Sequence, residues 1–284
     1  GSSQWMYGTG YEITNSLRWN DPDSSELERT LGTATNRKKW TFSGWIKPSL
    51  GHGNDSNPIV STEDGQAQTT LIGYGGHNAT GGSIDKISLL DYLADGTEKF
   101  QLVTTATYRD PAQWYHIVVA YDSAQGTAAN RVKLYVNGVQ VTDFGRENYP
   151  PQNYETFLNS AVATQIGQNL SRSAHFHGYM AELYFIDGTI KAPADFGETG
   201  NYGEWKPIKY AGSFGDNGFY LDFKSSGVGT AGSGTIGADR SGNDNHFTSA
   251  GLAVTDQVID SPTNNFATLN PLQTHAQTLS EGNL

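Results

Sequence analysis

The sequence predicts an all-β protein built as an antiparallel β-sandwich. Aromatic residues make up 12% of the 284-residue chain and 34 residues are glycine, a mixture typical of short strands joined by tight turns. Several segments alternate between apolar and polar residues with the period of two that a strand requires. No segment keeps the period of a helix long enough to predict one.

The first clear strand is KKWTFSGWIKPS, residues 38–49. Alternation places two sets of side chains on opposite faces, and Pro48 is expected to end the strand. One face carries Trp40, Phe42, Gly44 and Ile46, and the other carries Thr41, Ser43 and Trp45. Short apolar runs separated by glycine-rich turns follow, a spacing that predicts an antiparallel meander.

A β-hairpin is predicted where two alternating runs meet at Asn137-Gly138. This dipeptide readily adopts the positive φ angles of a type I′ turn. In the upstream run WYHIVVAY, residues 114–121, both faces are largely apolar, so this strand is expected to be covered on both sides. Such a strand belongs inside a sandwich.

The chain is expected to have three parts. Residues 8–195 would form the sandwich. Residues 196–255, with a strand predicted at 219–223, would pack on the sandwich or complete it, and Trp205 would pack this segment onto the first. Residues 256–284 are polar with few apolar anchors, which predicts an extended linker or arm.

Composition argues against several classes of function. The formal net charge is −11 and no basic run is present, so nucleic acid is not an expected partner. Cysteine is absent, which excludes disulfides and thiolate metal sites. No apolar run reaches the roughly 18 residues of a membrane span, so membrane insertion is not expected. An acidic surface suits simple solubility, or calcium binding by loop oxygens.

Four segments carry a resemblance to a known family: NRKKWTFSGWIKPS, RDPAQWYHIVVAYDSAQGTAANRVKLYVNGVQVT, FHGYMAELYFIDG and DSPTNNFATLNP. Together they resemble the laminin-G-like, concanavalin-A-like jelly rolls of bacteriophage tail and virion proteins. The Trp-His strand and the Val-Asn-Gly hairpin occur throughout the laminin-G-like superfamily, so they imply the jelly-roll β-sandwich. The DSPTNNFATLNP segment is more specific, since it is associated with phage structural proteins.

The resemblance implies a non-catalytic module of a phage virion, in the tail or a surface appendage. Such a module would contribute to particle structure and bind host-surface polysaccharide. Its expected partners are other virion and tail proteins, and it is expected to form homo-oligomers. Two alternatives stay open: a polysaccharide lyase or glycoside hydrolase on the same fold, and a purely structural assembly protein.

The segment HFHGYMAELYFIDG, residues 175–188, raises the question of a metal site. His175 and His177 would lie on one side of a strand, about 6.6–7 Å apart, which permits chelation only with a third ligand from elsewhere. Strand parity places Glu182 on the opposite face unless a bulge intervenes. A central structural strand is therefore the favoured interpretation.

Two further sets of residues carry side chains of the types that catalysis uses. Glu26-Leu27-Glu28 is the nearest approach to the paired acids of glycanases, but it has only two acids and is expected on an exposed strand face. A second set supplies the residue types of a lyase groove, although the lyase motif Tyr-Phe-Lys-Ala-Gly is missing. This set comprises Gln165, Arg172, His175 and Tyr179. No catalytic residue is predicted.

Calcium is the one metal that the sequence suggests. In ADRSGNDNHFT, residues 238–248, the side chains of Asp239, Asn243 and Asn245 crowd oxygens onto a tight loop, the donor type that calcium prefers. Turns rich in Asp and Asn also hydrogen-bond to their own backbone, so a purely structural turn is the alternative. No cofactor is expected to be required.

One loop is a candidate glycan-binding site. IGYGGHNATGG, residues 72–82, carries Tyr74, His77 and Asn78 among glycines that would allow close approach of a ligand. An aromatic ring and an amide can combine stacking with hydrogen bonds to a sugar. A plain flexible connection is the alternative interpretation.

Overall fold

The computed structural model describes residues 10–20, 23–49, 56–63, 69–75, 84–169 and 174–267. The predicted all-β fold class is confirmed. Short 3₁₀ turns at Ala128–Asn130, Pro193–Asp195 and Val254–Asp256 accompany the strands. Within the described ranges no helix is long and apolar enough to cross a membrane.

The strands form two large antiparallel sheets and one small one. They are β1 (Ser16–Trp19), β2 (Glu26–Thr30), β3 (Lys39–Pro48), β4 (Ser56–Glu63), β5 (Thr69–Gly75), β6 (Ile87–Tyr92), β7 (Glu98–Thr104), β8 (Tyr115–Asp122), β9 (Val132–Val136), β10 (Val139–Gln140), β11 (Phe144–Asn148), β12 (Ala163–Ile166), β13 (Gly178–Asp187), β14 (Gly197–Thr199), β15 (Trp205–Pro207), β16 (Phe219–Leu221), β17 (Thr248–Ala250) and β18 (Gln257–Val258).

Sheet 1 has the strand order β10-β9-β8-β3-β13-β1-β18, and β16 also pairs with β13. Sheet 2 has the order β11-β7-β6-β5-β4-β12-β2-β17, while β14 and β15 pair with each other. The inner faces of sheets 1 and 2 enclose one apolar core, as alternation along paired strands requires. Its largest buried side chains include Trp19, Trp40, Phe42, Tyr121, Phe185 and Phe219.

The predicted faces of β3 are confirmed. Trp40, Phe42 and Ile46 lie in the core between the sheets. Trp45, from the other face, packs in a separate cluster on the outer side of sheet 1. β8 is buried at every position, as its two apolar faces predicted. Sheet 1 is therefore covered on both faces, by sheet 2 inside and by a layer of chain outside.

The predicted hairpin is confirmed between β9 and β10. Asn137 and Gly138 have φ angles of 48° and 79°, as a type I′ turn requires. The Asn137 side-chain oxygen also accepts a hydrogen bond from the backbone N–H of His116 at 2.8 Å. A Cβ at position 138 would lie 2.5 Å from the Trp205 ring, so glycine is needed for packing as well as for φ.

The segment 196–255 contributes strands to both large sheets. β16 pairs with β13 in sheet 1, and β17 pairs with β2 in sheet 2. The predicted strand at 219–223 is observed over 219–221. Phe219, Phe223 and Phe247 all lie in the core between the sheets. The segment therefore supplies part of that core.

Residues 256–267, the described part of the predicted arm, lie against sheet 1. β18 pairs with β1, and Asp260 and Ser261 are buried. The Lys47 ammonium on β3 donates to Asp260 Oδ2 at 2.8 Å, to Asn265 Oδ1 at 2.9 Å and to the Phe266 carbonyl at 2.7 Å. The Lys47 side chain is 0% exposed, so all three of its donors are satisfied by this segment.

A β-bulge interrupts β13. Ala181 pairs with Trp45 and Tyr184 pairs with Ser43, so Glu182 and Leu183 both lie opposite Gly44. Glu182 has a φ of 50°, and a Cβ on Gly44 would lie 2.6 Å from the Leu183 side chain. The bulge breaks the regular alternation of the strand, under which Glu182 and Met180 would lie on one face.

The bulge turns Glu182 to the outer side of sheet 1, whereas Met180 lies in the core. The Glu182 carboxylate accepts hydrogen bonds from the hydroxyls of Tyr11, Tyr184 and Tyr220. Burial raises the pKa of this carboxyl above its ordinary value, although the three donors partly oppose that effect. On the side away from β3, β13 pairs with β1 before the bulge and with β16 after it.

We expect Lys47→Met to lower the free energy of unfolding by about 3–5 kcal/mol, because the Asp260 carboxylate would stay buried without its counter-ion. Chemical denaturation measures the change. Lys206→Met is the control, since Lys206 forms a partly exposed pair with Glu198 at 3.1 Å, and it should cost less than about 1 kcal/mol. Equal losses in the two variants would contradict the assigned role of Lys47.

Candidate functional site

Of the three candidate glycan-binding residues, Tyr74 lies within the described ranges. It lies on β5 with its ring in the core, and its hydroxyl donates to Asp85 Oδ1 at 3.1 Å and to the Tyr108 carbonyl at 2.9 Å. Burial, followed by the Asp85 charge, raises the pKa of this hydroxyl. His77 and Asn78 lie outside the described residues. Sugar binding by these three residues stays a prediction.

The predicted calcium loop forms a dense hydrogen-bond network. Asp239 Oδ1 accepts from the backbone N–H groups of Tyr220 and Ser241, both at 2.8 Å. Its Oδ2 accepts from the Ser241 hydroxyl at 2.7 Å and from the backbone N–H of Asn245 at 2.9 Å. Donors from the loop and from β16 therefore satisfy both oxygens of this buried carboxylate.

The two asparagines tie the same loop to the preceding segment. Asn243 Nδ2 donates to the carbonyls of Gly215 and Gly218, and Asn245 Nδ2 donates to those of Asp216 and Gly218. These contacts account for the clustering of Asp and Asn through turn structure. Calcium binding by Asp239, Asn243 and Asn245 stays a prediction.

The two histidines of the HFHGYM segment precede β13 and are not part of it. His175 forms an isolated bridge with Gln168, and the Nε2 atoms of these two side chains lie 2.6 Å apart. His177 is buried. Across the described ranges, no group of three or more histidine or acidic side chains is placed to hold a metal.

Two residues of the candidate lyase groove, Gln165 and Tyr179, lie on different sheets. Gln165 is on β12 of sheet 2 and Tyr179 is on β13 of sheet 1, in the outer cluster with Trp45 and Trp114. Arg172 lies outside the described residues. The structure therefore does not bring Gln165 and Tyr179 into one groove.

A Ser-His pair that the sequence did not indicate lies on the outer side of sheet 1. Ser43 Oγ is 2.8 Å from His116 Nε2, and the Trp205 indole N–H donates to His116 Nδ1 at 2.9 Å. Because Nδ1 accepts a hydrogen bond, the proton of the neutral ring is on Nε2 and Ser43 is the acceptor. Burial lowers the pKa of His116 to about 3. This arrangement cannot activate Ser43 as a nucleophile.

Trp205 lies edge to edge with His116. The His116 ring stacks on Trp45, with centroids 4.7 Å apart, while the hydrogen-bonded Trp205 ring is nearly coplanar with it, with centroids 6.1 Å apart. The expected packing of Trp205 onto the first segment is confirmed. The Ser-His pair is thus part of the packing between sheet 1 and the later chain.

Glu26 and Glu28 face the outer side of sheet 2, together with Gln165 on the neighbouring β12. Gln165 Nε2 donates to Glu26 Oε2 at 3.2 Å and to Glu28 Oε2 at 2.6 Å. Glu26 and Gln165 are buried, so the expectation of an exposed strand face was wrong for Glu26. One amide nitrogen thus brings the two carboxylates close together.

A second polar group lies towards the other edge of sheet 2, on the outer face of β6, β7 and β11. Leu89 and Leu102 face the core, so the neighbouring pair Leu90 and Gln101 faces outward. Side chains on this face form a connected network that we call the edge patch. Its members are Tyr92, Glu98, Gln101, Arg146 and Asn148.

Glu98 is the centre of the edge patch. Its carboxylate accepts from Asn148 Nδ2 at 2.7 Å, from the Arg146 guanidinium and from the Tyr92 hydroxyl at 3.1 Å. Burial raises the pKa of Glu98, but these hydrogen bonds and the Arg146 charge outweigh burial and leave it below its ordinary value. Glu98 therefore stays ionised and holds its three neighbours in place.

The edge patch combines the groups that a sugar requires. The Arg146 side chain is 43% exposed, Asn148 is exposed and Tyr92 is half-buried. The buried Gln101 accepts from Tyr92 through Oε1 at 3.2 Å, while its Nε2 has no hydrogen-bond partner among the described residues. The Tyr92 ring can stack on a sugar, and the donors fixed beside it can bind the sugar hydroxyls.

Comparison with protein families gives one match. The Laminin_G_3 family model, described as the concanavalin A-like lectin/glucanases superfamily, matches residues 22–193, more than half of the chain. No curated protein matches the chain.

Solved structures share the fold at low sequence identity. A Bacteroides ovatus protein provisionally described as carbohydrate-binding aligns with a TM-score of 0.53 and 15% identity, covering 84% of this chain and 58% of that protein. Domains LG4-5 of the mouse laminin alpha1 chain align with a TM-score of 0.40 and 12% identity, covering 73% and 48%. The chain spans less than two thirds of either protein's length, and the first likeness shows the fold alone.

We expect the Asp239 loop to be stable without calcium, because N–H groups of Tyr220 and of the loop itself satisfy the carboxylate. Adding calcium or a chelator should shift the melting temperature by less than about 1 °C, whereas Asp239→Ala should cost about 1–3 kcal/mol in both buffers by leaving buried N–H groups unpaired. Thermal unfolding measures both effects. A rise in melting temperature with calcium that is lost in Asp239→Ala would instead establish a calcium site.

Proposed function

This chain belongs to the concanavalin A-like lectin/glucanases superfamily, and we propose that it is a non-catalytic module that binds glycans through the edge patch of sheet 2. The observation that carries the proposal is the network around Glu98, which holds Tyr92, Arg146 and Asn148 at an accessible edge of the sheet. The provisional description of the Bacteroides ovatus protein with the same fold supports the same ligand class.

The chemistry of the edge patch suits binding without turnover. Glu98 is held in the ionised form by its hydrogen bonds, so it is a poor proton donor at neutral pH. The Ser43-His116 pair has its proton on the wrong nitrogen for nucleophile activation, and a His116 pKa of about 3 makes the ring a weak base. Neither Glu98 nor the Ser43-His116 pair is therefore set up for bond cleavage.

We further propose that the module belongs to a phage virion, in the tail or a surface appendage, and attaches to host-surface polysaccharide. The DSPTNNFATLNP resemblance supports this placement. In this fold the same segment supplies Asp260, Asn265 and Phe266 to the buried Lys47, so part of the resemblance reflects a structural requirement. Other virion proteins and further copies of the chain are the proposed partners.

A glycoside hydrolase is the second candidate, because Glu26 and Glu28 approach the geometry of a catalytic pair. Glu26 Oε2 and Glu28 Oε2 lie 3.2 and 2.6 Å from Gln165 Nε2, so the distance between these two oxygens cannot exceed the sum of those values. Retaining glycosidases hold their carboxyl groups about 5–5.5 Å apart. One observation argues against hydrolysis. The Gln165 amide donates to both carboxylates, which favours the ionised form of each, whereas catalysis requires one of the two acids to be neutral.

We expect the purified chain to be retained by at least one bacterial or algal polysaccharide in affinity electrophoresis, with no product released. Arg146→Gln should weaken retention about tenfold, because a charged donor beside Glu98 is lost. Arg109→Gln is the control, since Arg109 is an exposed arginine beside Asp85 that lies outside the patch. Released product that disappears in Glu28→Gln would overturn the non-catalytic proposal in favour of hydrolysis.

A further inference from the structure

A second groove, outside the edge patch, lies on the outer side of sheet 1 over β3, β8 and β9. It encloses about 620 Å³, within the range of small-ligand sites. Ala120 on β8 is part of its floor, and its small side chain leaves room between the longer neighbours on β3 and β9. The residues 188–192, which follow β13, form one wall.

Hydrogen bonds to β3 fix that wall. The Thr41 hydroxyl donates to the Thr189 carbonyl at 2.9 Å and accepts from the Lys191 backbone N–H at 2.9 Å. The Gly188 N–H donates to the Lys39 carbonyl at 2.9 Å, and Gly188 makes the turn with a φ of 78°. The groove is therefore formed by the folded backbone and needs no ligand to open it.

The groove is positively charged, although the chain carries a net charge of −11. Three lysines line it, Lys39, Lys133 and Lys191, against the single carboxylate of Asp122. Asp122 Oδ2 lies 3.5 Å from the Lys39 ammonium and also accepts from Gln125 Nε2 at 2.7 Å. Its charge therefore offsets no more than one of the three lysines.

The other two lysines have no carboxylate partner among the described residues. Lys133 is in no ion pair there, and the Lys191 ammonium lies 5.5 Å from the centre of the Tyr210 ring. Lys133 and Lys191 thus line one concave site in which Asp122 is the one carboxylate among the described lining residues. Such a site attracts an anionic ligand, and the attraction should weaken with salt.

The remaining lining residues indicate which class of anionic ligand the groove would bind. Tyr135 on β9 is partly exposed and offers a ring face, and Gln125 and Asn130 bring exposed amides to the groove. A ring and amides beside ammonium groups suit a sugar whose carboxylate or sulfate meets the lysines. We propose that this groove binds an acidic saccharide.

This inference rests on the proposed function in that the ligand is a glycan, but it uses a different site. Groove and edge patch lie on the outer faces of different sheets, so substitutions in one leave the other intact. Loss of binding through Arg146 and loss through the groove lysines are therefore separate results.

The test is titration calorimetry of the full chain at low salt, with a hexamer of galacturonic acid and a neutral glucose hexamer as probes. We expect the acidic hexamer to bind more tightly, with an affinity that falls as salt rises. The double variant Lys133→Gln/Lys191→Gln should weaken acidic binding at least about fivefold. The control, Lys206→Gln/Lys224→Gln, makes the same charge change outside the groove and should have little effect.

Four results would overturn the inference. One is equal affinity for the acidic and the neutral hexamer, and another is an equal loss in the groove and control variants. The third is inorganic phosphate or sulfate binding as tightly as the hexamer, which would reduce the groove to an anion site. If glycan binding depends on Arg146 alone, binding at the edge patch is supported and binding in the groove is refuted. Equal melting temperatures among the variants establish that each is folded.

Discussion

The fold depends on keeping one carboxylate out of its core at the middle of a central strand. Strand parity would place Glu182 beside Met180 between the sheets, where an unpaired charge is prohibitively costly. The bulge opposite Gly44 turns it outward instead, to three tyrosine hydroxyls. The same bulge marks where β13 changes its partner from β1 to β16. It therefore joins the early and late parts of the chain in one sheet.

This joining explains why the two outer faces differ. The outer side of sheet 1 is covered by Phe196, Trp205 and Tyr210 from the later segment, which bury Tyr184 and His116. Over Ala120, beyond this layer, a groove remains. The outer side of sheet 2 instead carries hydrogen-bonded polar groups that reach solvent at β11. Recognition is thus expected where the later chain does not cover the sandwich.

Local features were predictable from the sequence. Alternation fixed the faces of β3, and Asn137-Gly138 located the hairpin, because both signals depend on adjacent residues. The bulge was not predictable, because a positive φ at Glu182 follows from its long-range tyrosine partners. The edge patch and the groove were not predictable either. Each combines side chains from several strands, and these strands become neighbours only when they pair in a sheet. The candidate loop residues Tyr74 and Asp239 were found by composition, and the structure shows both held by internal hydrogen bonds.

Mapping the bound state by hydrogen–deuterium exchange would test glycan recognition on this sandwich most directly. The chain would be compared free and saturated with a polysaccharide that retains it. Glycan binding at the edge patch should slow exchange in β7 and β11, around Glu98 and Asn148, with sheet 1 changed only when the glycan is acidic. Protection confined to β2 and β12, around Glu28 and Gln165, would contradict it and move the site to the paired carboxylates.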